Sequence, residues 1–255
     1  MTHRVDLNAD MGESFGPWTM GADADLLGIV TSASIACGFH AGDPDVMARS
    51  MALAVDRGVA IGAHPGFPDL QGFGRRRMEL PLDSVKNLVR YQVAAAAGMA
   101  RAAGGALDHV KLHGALSNMA AEDETLSRAA FEAALDIDPD LTVFVLAATP
   151  MEAAARDLKC RYANEIYADR AYNPDATLVD RRQPGAVIHD PDTAAWRMVE
   201  MVASGGILTA TGHRIATRID TICLHGDGPQ AVAMARAVRT ALSEASVRIA
   251  SPGAH

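Results

Sequence analysis

The amino-acid sequence predicts an α/β protein, a single-domain (β/α) barrel of about seven parallel strands. Three observations carry this. Short apolar runs rich in β-branched residues alternate with longer stretches of helical periodicity, seven or eight times along the chain. The runs hold few internal charges, as strands buried on both faces require. The length of 255 residues is that of one barrel. Strand–helix–strand order then demands right-handed crossovers in a parallel sheet. Periodicity does not separate a closed barrel from an open doubly wound sheet. The length favours closure, and residues 1–255 are taken as one domain.

The first strand is Val5-Asp6-Leu7, the second Ser34-Ile35-Ala36-Cys37 and the third Val59-Ala60-Ile61. His109-Val110-Lys111-Leu112 and residues 142–146 follow, then a less apolar run at 163–166. Thr221-Ile222-Cys223-Leu224 is the seventh, and Val247-Arg248-Ile249 adds a short eighth. Between them, residues 44–57 place Val46, Met47, Met51, Ala54 and Val55 near one helical face. Residues 82–103 carry Val85, Leu88, Val89 and Val93 along a stripe, and 122–135 form a third helix. Helices at 191–204 and 229–244 each open on a proline, which suits the first helical turn. Residues 167–190, with Tyr167, Arg170, Tyr172, Asn173, Arg181 and Arg182, are polar and turn-rich. A connection that long inside a compact domain is usually functional.

Composition excludes several classes. The chain has 23 Lys plus Arg against 31 Asp plus Glu, a net charge of −8, where a general nucleic-acid binder carries a basic surface. The only dense basic run is Arg75-Arg76-Arg77. The first ten residues contain charges and no apolar core, and the longest apolar stretch, 141–148, is far below the roughly 18 residues that cross a bilayer. Cys37, Cys160 and Cys223 lie far apart, as reduced thiols rather than a disulfide scaffold. A cytoplasmic protein without nucleic-acid or membrane partners is expected.

Polar residues recur where a strand ends. The first strand leads into Asn8-Ala9-Asp10-Met11-Gly12-Glu13, and the second into Gly38-Phe39-His40-Ala41-Gly42-Asp43. The third leads into His64, the fourth into His113 and the seventh into His225-Gly226-Asp227. Taken singly, each has a plain structural role available: a turn histidine, or Asp43 and Asp227 as helix caps. Four imidazoles, a lysine and several carboxylates on one rim point instead to an active site at the C-terminal ends of the strands. Such groups act as general acid and base near neutral pH. Lys111 is one of only three lysines. The two-residue period of a strand puts it on the same side as His113, either to hold an oxyanion or to pair with Asp6 or Asp10.

Other chemistries find less support. Asp10 with His40, His64 or His113 offers N and O donors for a metal, but no HxxxH or HExxH spacing accompanies them. The phosphate loop Gly-x-x-x-x-Gly-Lys-Ser/Thr and the nucleophile elbow Gly-x-Ser-x-Gly are both absent. Gly226-Asp227-Gly228 begins a G-x-G-x-x-A string, yet no complete βαβ unit follows it.

Several strings are specific enough to name a family. Val5-Asp6-Leu7-Asn8-Ala9-Asp10-Met11-Gly12-Glu13, residues 35–44 (IACGFHAGDP), residues 62–76 (GAHPGFPDLQGFGRR), Ala168-Asp169-Arg170-Ala171-Tyr172 and residues 222–229 resemble the LamB/YcsF family, in order, from about residue 3 to 250. Three positions depart from its pattern. Leu112 and Ser117 stand in Lys-Leu-His-Gly-Ala-Leu-Ser-Asn where the family has Pro and Tyr, and Gly228 replaces a Thr. The resemblance implies a seven-stranded barrel akin to the glycoside hydrolase/deacetylase superfamily. It further implies a part in the ATP-dependent opening of 5-oxo-L-proline to L-glutamate, with two partner subunits, B and C. ATP, with Mg as its divalent metal, would serve the complex without a phosphate loop in this chain. Catalytic roles then fall to Asp10, His40, His64, Lys111 and His113. Substrate contacts fall to Asn8, Glu13, Asp43, Arg75, Arg170, His225 and Asp227. Ala substitution of Lys111 or His113 is expected to abolish turnover with the fold intact. Two rivals are a metal-dependent amide or sugar deacetylase and a non-catalytic substrate-binding subunit.

Overall fold

A computed structural model of the chain describes residues 3–225 and 230–253. Seven parallel strands close into a barrel: β1 (Arg4–Met11), β2 (Ser32–Ala36), β3 (Ala60–His64), β4 (Leu107–Lys111), β5 (Thr142–Leu146), β6 (Tyr162–Tyr167) and β9 (Thr221–Leu224). Closure is made by β1, which pairs with β2 on one edge and with β9 on the other, Asn8 facing Ser32 and Cys223. The helices between them are α1 (Asp23–Leu26), α2 (Pro44–Arg57), α3 (Leu82–Ala102), α4 (Gly114–Ala120), α5 (Glu124–Leu135), α6 (Pro150–Asp157), α7 (Pro191–Ser204) and α8 (Ala231–Glu244). An antiparallel hairpin of β7 (Gly206–Leu208) and β8 (Arg214–Ala216) precedes β9. The eighth strand, β10 (Arg248–Ile249), is two residues pairing with Arg4 and Val5 below the point where β9 takes over the edge of β1. No described helix is long and apolar enough to cross a membrane.

Helix boundaries follow local chemistry. Asp43 accepts from the Val46 N–H at 2.8 Å, Pro44 fits the first turn, and Gly58 ends α2 in the left-handed region at φ 64°. Asp190, Pro191 and Gly205 repeat that pattern around α7. The expected helix start at Pro229 lies outside the described residues.

The first strand runs longer than its apolar run because this barrel is polar inside. Along β1, Val5, Leu7, Ala9 and Met11 join the apolar shell with the helices, while Asp6, Asn8 and Asp10 reach partners across the barrel. Ser32, Ser34, His109, Lys111, Glu165 and Thr221 are buried beside them. Barrel interiors are ordinarily filled by branched apolar side chains. Here a column of hydrogen-bonded polar groups takes that place. Backbone makes room where side chains are large: a methyl at Gly62 would overlap the His109 imidazole, whose Nε2 lies 3.1 Å from Ser34 Oγ.

The lowest interior layer is centred on Asp6. Its carboxylate accepts from Thr31 (2.6 Å), Ser32 (2.8 Å) and Thr221 (2.5 Å). Burial outweighs these bonds and pushes its pKa from 3.8 to about 6. A raised acid binds more protons folded than unfolded, so its contribution turns against folding as pH rises through that window. Asp6→Asn should therefore gain on the unaltered protein by about 2 kcal/mol between pH 4 and pH 7, read from urea midpoints. A difference independent of pH would mean that Asp6 is ionised throughout.

Candidate active site

The upper interior is organised by Lys111, 2% exposed. Its Nζ donates to Asp10 Oδ1 at 2.8 Å and Asn8 Oδ1 at 3.1 Å, contacts Cys223 Sγ at 3.0 Å, and pairs with Glu165 Oε1 at 2.9 Å. The Tyr167 ring lies 5.2 Å away. Asn8 in turn donates to Glu165 at 2.9 Å and Thr221 at 2.7 Å. Burial acts to lower the Lys111 pKa, but Asp10 foremost, together with Glu165, outweighs it and holds the ammonium well above its ordinary value. Asp10 behaves as the complement. Burial would raise it, yet His64 and Lys111 keep it well below the usual carboxylate range.

Four histidines crown this layer. His64 ends β3 and His113 caps α4. His64 Nδ1 lies 2.8 Å from the Lys111 carbonyl, and its Nε2 faces Asp10 Oδ2 at 3.4 Å and His113 Nδ1 at 2.9 Å. His113 Nε2 reaches the Phe73 carbonyl at 2.8 Å. His40, from the β2–α2 loop, stacks on His113 with centroids 3.6 Å apart, its Nε2 3.7 Å from Glu13 Oε1. Gly74, at φ 62°, permits the stack, since a Cβ there would press on His40 and His113. Burial first, then neighbouring imidazoles, pulls both His40 and His113 well below the ordinary imidazole value. On the far side, His225 Nδ1 sits 2.8 Å from Asp169, and its Nε2 lies 3.9 Å from Asp10. Glu13, His40, His64 and His113 form a cluster consistent with a divalent metal, their donor atoms within 4.8 Å of one another.

Above lies a cavity of about 660 Å³ lined by Asp10, Glu13, His64, His113, Tyr167 and His225. Arg75, Arg77, Arg170, Arg181 and Arg182 also line it. Residues 177–183 of the long β6–α7 connection form much of one wall. Arg181 approaches His225 at 3.5 Å, and Arg75 lies over the Phe73 ring at 4.8 Å. Arg77 and Arg182 are paired with Glu122 and Asp180.

The structure thus brings Asp10, Glu13, Arg75, His64, His113, Arg170 and His225 to one cavity, with His40 directly behind His113. Lys111 and Asn8 lie beneath it and are not among its lining residues. Asp43 is likewise absent from the lining. Its two oxygens cap α2 and accept from the Gly16 N–H at 2.7 Å, pinning the Phe15–Trp18 turn. Asp227 lies outside the described residues. Sequence reasoning gave Tyr167 and Arg181 only as part of a functional connection and Asp169 only within a family string, and it missed Glu165. Glu165 had a signal, a lone carboxylate on the same face as Tyr167 within a strand.

Comparison with known proteins agrees. Residues 5–255 match the LamB/YcsF family. A protein of Ruegeria pomeroyi that bears the name of a 5-oxoprolinase subunit is 64% identical over 96% of this chain and 97% of its own length. The crystal structure of a lactam utilization protein from Thermus thermophilus is 44% identical, covers 97% of this chain and 99% of its own, and superposes with a TM-score of 0.91. The catalytic domain of a peptidoglycan N-acetylglucosamine deacetylase from Eubacterium rectale, 8% identical, covers 98% of this chain and 89% of its own at a TM-score of 0.51, a likeness of fold alone. With its motifs in order, its barrel closed and its rim assembled, the chain belongs to the LamB/YcsF family.

Proposed function

We propose that this chain is the lactam-opening subunit of an ATP-dependent 5-oxoprolinase, adding water to a 5-oxoproline ring that partner subunits B and C have activated with ATP and Mg. One observation carries the reading: a buried Asp10–His64–His113 constellation at the floor of a cavity walled by arginines. A five-membered lactam is a stable amide, so activation by phosphorylation of its oxygen supplies the missing driving force. The substrate then carries a carboxylate and a phosphate, and arginine is the side chain suited to both. That role moves to Arg75 and Arg181, because Lys111 is committed to Asp10, Glu165 and Asn8 below the cavity.

Water adds to the ring carbonyl carbon as Asp10 takes its proton. Expulsion of the ring nitrogen, protonated from His225, breaks the C–N bond and leaves an acyl phosphate. A second water releases phosphate and glutamate. Relatives named as 5-oxoprolinase subunits support this reading. The test is glutamate release from 5-oxoproline by this chain alone, by both partners alone and by all three together, each with and without ATP. Release that needs all three proteins and ATP is expected. Undiminished release by the partners alone would overturn the assignment and leave this chain a non-catalytic role.

A further inference from the structure

The hydrogen bonds of the histidine cluster do not close on protein groups alone. His64 Nδ1 faces the Lys111 carbonyl at 2.8 Å and His113 Nε2 faces the Phe73 carbonyl at 2.8 Å. A carbonyl accepts only, so both nitrogens carry hydrogen. The other two, His64 Nε2 and His113 Nδ1, are then bare lone pairs pointed at each other across 2.9 Å. Two acceptors at that distance repel unless something positive lies between them. A third proton would satisfy that pair and the Asp10 carboxylate 3.4 Å from His64 Nε2. It would do nothing for His40, both of whose ring nitrogens are buried without a hydrogen-bond partner. The Glu13 carboxylate stands beside these rings, its Oε1 3.7 Å from His40 Nε2 and 3.8 Å from His113 Nδ1.

We infer that Glu13, His64 and His113 hold a divalent transition-metal ion of the zinc, cobalt or manganese class, with His40 as a fourth donor. Two nitrogens 2.9 Å apart can both sit at roughly 2.0–2.1 Å from a common ion. The two carbonyl partners fix the tautomer and aim of each ligating ring, as second-sphere acceptors do at histidine metal sites. Because His40 lies face to face with His113, its ring must turn off that face to bind, which makes it the most dispensable donor. A set of three imidazoles and one carboxylate selects against Mg, which prefers oxygen and water. The site is therefore distinct in kind from Mg bound with ATP. An ion there would polarise a carbonyl or phosphoryl oxygen brought to the cavity floor.

The inference deepens the lactam reading of this site but is tested without substrate. The full-length chain, stripped with a chelator and dialysed, would be titrated with Co²⁺ and with Zn²⁺, following visible cobalt absorption and bound metal by elemental analysis. One equivalent per chain is expected, with the intense absorption of a four-coordinate site, displaced by Zn²⁺ and not by Mg²⁺. His113→Ala and Glu13→Gln, shown folded by circular dichroism, should lose at least tenfold in affinity. Failure of the unaltered protein to bind stoichiometric metal overturns the site and leaves the lactam reading standing. So does binding that neither folded variant weakens. Should neither variant fold, His40→Ala decides: a retained but altered cobalt spectrum supports the site, and an unchanged spectrum overturns it.

Discussion

Lys111→Met should cost the fold about 3–5 kcal/mol, the loss that follows when one partner of a buried ion pair is removed and the other charge stays behind. Asp10 and Glu165 both lie within 3 Å of the ammonium and are themselves buried. Without it, two carboxylates share a low-dielectric interior, Glu165 keeping the Asn8 amide as donor and Asp10 left facing His64 at 3.4 Å. The expectation from sequence, lost turnover with an intact fold, is thereby revised for Lys111 and kept for His113, which ends a strand-to-helix turn. The measurement is urea unfolding at pH 7. In the Lys111→Met background, adding Asp10→Asn should restore 1–3 kcal/mol, roughly the range of coupling seen for groups in contact. A cost below about 1 kcal/mol and no coupling would mean that the carboxylates are neutral in the fold.

Polarity at the strand ends made the rim readable. Barrels build their sites where strands deliver side chains to one edge, and His40, His64, His113 and His225 each follow an apolar run in this chain. The interior was far less legible. Counting apolar residues cut β1 down to three positions, whereas the strand spans Arg4–Met11 with its polar half turned inward. A two-residue period in Asp6, Asn8 and Asp10 contained that information, but only closure reveals what those side chains meet. Glu165 and Lys111 stand 54 positions apart in sequence on strands that do not pair with each other, and meet at 2.9 Å only because the barrel is narrow. The short helices α1, α4 and α6 and the β7–β8 hairpin carry too few residues for periodicity to register. Asp43 shows the converse: it sits among site residues in a family string, yet its oxygens are used by backbone N–H groups.

Asp10→Asn should lower the rate of glutamate formation by the assembled complex about 10²–10⁴-fold, within the range for a positioned acid–base group, while disturbing the fold less than loss of Lys111. Asparagine keeps the shape and one carbonyl oxygen to accept from the Lys111 ammonium, so the 2.8 Å contact survives. What disappears is the negative charge 3.4 Å from His64 Nε2 and 3.9 Å from His225 Nε2. That charge takes the water's proton and steadies a protonated His225, much as a buried carboxylate steadies the imidazolium in other hydrolytic sites. The defect should therefore appear in kcat rather than KM, since the arginines that meet the substrate's anionic groups are untouched. Steady-state kinetics with saturating partners and ATP separates the two parameters. A rise in KM at unchanged kcat would place Asp10 in substrate binding and move the proton-accepting role to His225, which faces the cavity from the other side.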